Sequence, residues 1–119
     1  MARKSVTGVT YQQLVDYAST LTAVEQSTSY GTPALKVRGK LMVRLWDDGT
    51  TVVLKTNWEE RERLLATYPE IFFLTDHYRD YSLVLMRLAT GSNALMREAV
   101  DTAWREAAPK SLLHEKTPK

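Results

Sequence analysis

The chain has 119 residues, 44% of them hydrophobic and 25% charged, with a formal net charge of +2 and no cysteine. A single globular domain fits that make-up, and the missing thiols exclude disulfides, thiolate nucleophiles, zinc ribbons and iron–sulfur ligation. No apolar run reaches the roughly 18–20 residues of a membrane span, and no apolar signal core follows the charged start, so the expected compartment is the cytoplasm.

The first periodic stretch is TYQQLVDYASTLT, where Leu14, Tyr17, Ala18 and Leu21 recur on one helical face. Thr10, with Gln13 three residues on, forms a capping box that starts this helix. EQSTSYGTP has strand propensity until Gly31 and Pro33 interrupt it. From Ala34 the apolar period becomes two. Leu35 and Val37 alternate with Lys36 and Arg38, and Leu41, Val43 and Leu45 with Met42, Arg44 and Trp46. Asp47-Asp48-Gly49 is a hairpin turn signal, and it returns the chain through Val52 and Leu54, alternating with Val53 and Lys55. Asn57 caps a second helix, WEERERLLATY, with Glu59 and Glu60 in its first turn and Pro69 at its end. EIFFLT is a short strand, DHYRDY a polar loop, and SLVLMRL a strand apolar enough to lie inside the sheet. The last helix, SNALMREAVDTAWREAA, aligns Met96, Val100, Ala103, Trp104 and Ala107, and Pro109 closes it.

This order, α-β(3-4)-α-β(2)-α, predicts an α+β fold as a single domain over residues 1–119, with its ordered core at about 8–110. Two layers are expected: an antiparallel sheet with the helices on one face and the other face free. The polar ends, MARKS and LLHEKTPK, are expected to fray.

With apolar side chains turned to the helices, Lys36, Arg38, Arg44 and Lys55 project from the opposite face. Trp46 lies on the same side, Arg87 joins it from the last strand, and Tyr30 stands at its margin. Cations interleaved with aromatics on an open sheet suit a nucleic-acid strand, the cations tracking phosphates and the rings stacking on bases. The same pattern also describes a solvated face whose charges discourage aggregation. Lys40 sits at a strand-to-strand turn beside Gly39, where a hairpin tip can act as a wing. No glycine-rich phosphate loop is present.

A second candidate is a small-molecule pocket formed by Tyr30 and the Asp76–Tyr81 loop, with His77, Tyr78 and Arg79 as its lining. His77 has the side chain suited to acid–base work near neutral pH. No nucleophile–base order accompanies it, so no catalytic residue is assigned. A metal site would require Asp47, Asp48, Asp76 or Asp80 to converge on His77, since the other histidine, His114, lies in the tail. Neither metal nor cofactor is expected. The mixed signs of Glu59, Glu60, Arg61, Glu62 and Arg63 describe a solvated helix face and disfavour a membrane partner.

On Tyr30-Gly31-x-Pro33, Lys36-Val37-x-Gly39-Lys40, Leu54-Lys55 and Phe73 through His77-Tyr78, the chain resembles the MmcQ/YjbR-like family of small bacterial α+β domains. The resemblance runs from the first helix to about Lys110. It implies a two-layer α+β fold, related in outline to frataxin-like and secretion-chaperone-like folds, and a DNA-binding role ascribed to a double wing of hairpins. It supplies no catalytic residue; Lys36, Lys40, Lys55 and His77 are the positions that match its pattern. Frataxin-like iron binding uses an acidic first helix, and this one offers Asp16, with Glu25 just beyond it. The leading expectation is a non-enzymatic nucleic-acid-binding domain. The alternatives are a module that binds a protein, a peptide or a second copy through its sheet, and the small-molecule pocket.

Overall fold

The computed structural model describes residues 8–112; most of the two ends expected to fray lies outside them. Thr10 Oγ1 accepts from the Gln13 amide at 3.0 Å while Gln13 Oε1 accepts from the Thr10 amide at 2.8 Å, so the capping box does start α1 (Tyr11–Ala18). An eight-residue helix is not stable alone in water; burial of Leu14, Val15 and Ala18 holds it in place. Four strands follow: β1 (Val24–Ser29), β2 (Thr32–Val37), β3 (Lys40–Leu45) and β4 (Thr51–Lys55). Asn57 then caps α2 (Trp58–Thr67) by accepting from the Glu60 amide at 2.8 Å. EIFFLT yields only the two-residue β5 (Phe72–Phe73), followed by a 3₁₀ turn at Asp76–Tyr78, β6 (Leu83–Arg87), a second 3₁₀ turn at Leu88–Thr90, and α3 (Asn93–Ala107).

The strands form one antiparallel six-stranded sheet in the order β1-β2-β3-β4-β6-β5. β6 lies inside it, and Val84, Leu85 and Met86 are all buried, as an uninterrupted apolar run requires. α3 crosses β3 and β4 and also packs on α1. Met96, Val100, Ala103, Trp104 and Ala107 are buried against Leu35, Val43, Leu54 and their neighbours. Each fully buried Leu or Phe in this layer contributes roughly 1.5–3 kcal/mol.

Strict alternation fails once. Leu35 pairs with Val43 but Lys36 pairs with Leu41, so Met42 is an extra residue bulged out of β3. Met42 and Val43 both enter the core, while Leu41, expected there, joins Lys36 on the other face. Lys40 pairs with core-facing Val37 and so leans to the helix side, where it shares a hollow with Glu106 and Pro109. Alternation resumes at Val43, and Ala34, Arg44, Val53, Leu85 and Phe73 form one cross-strand row on the outer face.

The expectation of a free outer face is corrected in its middle. Ala34, Val53 and Leu85 are buried although they point away from the helices. His77, Tyr78 and Tyr81 share a hollow with Val53 and Arg44, so the chain between β5 and β6 lies across this row. A row carrying Ala, Val and Leu is apolar enough to need such a cover. α2 ties it down: Arg61, itself buried, donates Nη1 to the carbonyls of Arg79 and Tyr81.

Candidate functional site on the covered sheet face

The cations read from the sequence do not form one surface. Lys36, Arg38, Lys40 and Lys55 gather near the β2–β3 turn. Arg38 and Gly39 both have positive φ, 51° and 84°, the twist-matched two-residue turn of a tight hairpin. Arg38 and Lys40 are exposed, and Lys36 and Lys55 half-buried. Among the described residues none of the four is ion-paired; Lys55 Nζ donates to Ser82 Oγ at 3.3 Å. Their surroundings are not free of acid, since Glu25 lies opposite Lys36 in the β1–β2 register and Glu106 lines the hollow of Lys40 and Lys55.

Arg87 lies elsewhere. It pairs with Thr51 while Lys55 pairs with Leu83, which separates the two cations by four strand positions, roughly 13 Å. Its guanidinium rests 4.1 Å from the centre of the Phe73 ring and donates to the Glu70 carbonyl.

Arg44 is not a surface cation at all. It is 6% exposed, wedged in the middle of the outer face. Its Nη2 donates to Asp47 Oδ1 at 3.0 Å, and its guanidinium carbon lies 5.4 Å from the centre of the Tyr30 ring. Nε and Nη1 are buried and have no partner among the described residues. Alternation could not separate Arg44 from Lys36 or Lys55; the apolar row around it, Ala34, Val53 and Leu85, was the available sign that something lies on top.

Two adjoining hollows meet at this guanidinium. One, of about 460 Å³, lies between Tyr30, Arg44, Trp46, Asp47 and the Thr75–Tyr78 segment. The other, of about 300 Å³, continues toward Val53, Tyr81 and Leu83. Tyr30, Arg44, His77 and Tyr78 line both. Three of the four expected pocket residues therefore converge. Arg79 does not: it is exposed and turned to Asp76 Oδ1 at 2.7 Å. Trp46, expected to stack on a base, stands in the wall of the larger hollow with its ring edge-to-face on Phe73.

Local chemistry explains these positions. Asp48 closes the β3–β4 turn by accepting from the amides of Thr50 and Thr51 and from Thr51 Oγ1, which leaves Asp47 to reach Arg44. Burial acts to raise the Asp48 pKa, but those hydrogen bonds outweigh it and hold the carboxyl below its usual range. Tyr30 and Gly31 form the β1–β2 turn, with φ of 52° and 82°. His77 sets its ring edge on Tyr78, 4.7 Å between centres. Thr75 Oγ1 is a second buried polar atom of the larger hollow with no partner. Among the described residues no three His, Cys, Asp or Glu gather as metal ligands. The site offers hydrogen-bond donors and aromatic walls, which is equipment for holding a ligand.

The model of the YjbR family matches residues 19–106, the segment holding every residue of both surfaces. The chain belongs to the YjbR family. Its fold is also that of the crystal structure of the Deinococcus radiodurans protein DR2400, described as a DUF419 domain. The TM-score is 0.72 at 17% identity, covering 95% of this chain and 91% of that one. No curated protein matches the sequence. No helix among the described residues of this YjbR domain is long and apolar enough to cross a membrane.

Proposed function

We propose that this YjbR-family domain binds nucleic acid without catalysis, gripping phosphates with the β2–β3 end of its sheet rather than with the whole face. One observation carries the reading. Lys36, Arg38, Lys40 and Lys55 lie together at that end with no carboxylate partner among the described residues, whereas the other unpaired cations, Arg87, Arg97, Arg105 and Lys110, are spread over the far end of β6, α3 and the chain after it. The exposed Arg38-Gly39 tip supplies the wing, and Arg44 and Arg87 fall outside the surface.

Contact with about four phosphates gives a log K against log salt slope of roughly −3 to −4 on duplex. The test is fluorescence anisotropy with short labelled single- and double-stranded DNA at about 50 and 200 mM salt, the range in which phosphate contacts weaken steeply. The expected result is binding that weakens with salt, is lost in Lys36→Glu/Arg38→Glu, and survives Arg87→Glu. Absence of binding by the native protein at either salt overturns the proposal.

A second reading, binding of another protein strand, rests on β1. Glu25, Gln26, Ser27 and Thr28 are exposed, and as an edge strand β1 has one side without a neighbouring strand among the described residues. A partner strand, including β1 of a second copy, can extend the sheet there. Sedimentation that shows only monomer up to high concentration removes the self-association form of this reading.

A further inference from the structure

We propose that the cleft between the outer sheet face and the Thr75–Tyr81 segment binds a small aromatic carboxylate, with the carboxylate on Arg44. A guanidinium carries five N–H donors, and a buried one that leaves donors unpaired is strongly penalised. Arg44 has Nε and Nη1 without partners and only Asp47 on Nη2. Because Nη2 has two hydrogens and Asp47 takes one, a complete two-donor fork remains, toward either Nε or Nη1. That fork matches a carboxylate.

The surroundings specify the rest of the ligand. Thr75 Oγ1, also buried and unpaired, lines the same hollow and supplies a further hydrogen bond. The walls are the rings of Tyr30, Trp46, His77 and Tyr78, which suit a planar body. The hollows, of about 460 and 300 Å³, are in the range of small-ligand sites. Asp47 already faces the guanidinium, so a singly charged carboxylate is tolerated better than a doubly charged phosphate.

Tyr30 is the cover. It is 88% exposed, its hydroxyl makes no hydrogen bond among the described residues, and it lies against Arg44 through its ring. It also occupies a left-handed turn position, φ 52°, that Asn, Asp or Gly fills at lower cost. A bulky residue held in such a conformation is a feature of ligand clamps. With most of its surface in solvent, Tyr30 does not hide the fork in the free protein; its ring closes over the bound ring.

The test titrates the full chain with 2-naphthoate, 2-naphthamide and 2-naphthyl phosphate, by calorimetry and thermal shift. Saturable naphthoate binding that raises Tm is expected, with the neutral amide roughly tenfold weaker, the loss of one charge-assisted hydrogen bond. Arg44→Met is expected to fold with an undiminished Tm and to bind acid and amide alike. Tyr30→Asn should keep or raise the Tm of the free protein while weakening naphthoate several-fold. The proposal is overturned by native protein that binds neither compound or both equally, or by Arg44→Met retaining the preference. Native affinity in Tyr30→Asn overturns the cover. Tighter binding of naphthyl phosphate than of naphthoate overturns the carboxylate assignment.

Discussion

Arg61 Nη1 donates to the carbonyl oxygen of Tyr81 at 2.8 Å, and through that bond α2 holds the segment that covers the outer sheet face. The same nitrogen reaches the Arg79 carbonyl at 3.0 Å, Nε meets Glu62 at 3.2 Å, and the guanidinium carbon stacks 4.6 Å from the centre of the Trp58 ring. One planar cation therefore ties together a helix, its own cap region and a loop 18–20 residues away.

Replacing it should loosen the cover more than the core. Arg61→Ala is expected to cost about 2–3 kcal/mol, from the loss of two charged hydrogen bonds donated by a buried guanidinium. Arg61→Lys should recover only part of this, because an ammonium has neither the fork nor the stacking plane. Denaturant unfolding gives the cost. Hydrogen exchange should show the largest loss of protection in the Asp76–Tyr81 amides, and an unchanged pattern there would refute the latch.

Both two-residue hairpin turns place a long side chain at positive φ, Tyr30 at 52° and Arg38 at 51°. Left-handed backbone costs such residues roughly 1–2 kcal/mol, and Asn considerably less. Tyr30→Asn and Arg38→Asn should each raise stability by about 1 kcal/mol and add nearly independently, since they sit in different turns. Thermal unfolding of the two singles and the double checks this.

Tyr11 has its hydroxyl buried without a partner among the described residues, and burial pushes its pKa from 10.0 to about 12. The neutral phenol is the form the fold accepts. Its contribution is fully present below pH 10 and is lost as the pH rises from 10 to about 12. Tyr11→Phe should flatten that alkaline loss and leave stability at pH 7 equal or up to about 1 kcal/mol higher, because the orphaned hydroxyl is gone. A steep alkaline loss persisting in Tyr11→Phe would assign it to another group.

Asp48 works in the opposite direction. Its carboxyl is held below 3.8, so its contribution is present above that value and disappears as the pH falls through the lower folded value. Acid unfolding of Asp48→Asn should begin from a lower neutral-pH stability and show a shallower acid limb. A mutant curve parallel to the native one down to pH 2 would contradict the turn's dependence on the ionised form.

Local patterns carried most of the fold. Thr10 and Gln13 announced the first helix, Asn57 the second, and the stripe from Met96 to Ala107 the third, because caps and helical periodicity are properties of residues within one or two turns of each other. The hairpin turn at Asp47–Gly49 and the interior position of SLVLMRL were equally local. Tyr30, His77 and Tyr78 could be nominated for a pocket from side-chain chemistry alone, although nothing in their spacing says that they meet.

Three features were settled only by the tertiary structure. The Met42 bulge moves Leu41 out of the core, and an extra residue in one strand is defined by its partner strand. The burial of Arg44 depends on a segment some thirty residues away folding back over Val53 and Leu85. The latch on that segment is Arg61, which reads in sequence as one more charge on a solvated helix. Sequence periodicity states which face of its own strand or helix a side chain occupies. What lies on that face is decided by chain from elsewhere, and here it separates four cations without ion pairs among the described residues, at one end of the sheet, from a fifth enclosed in an aromatic cleft.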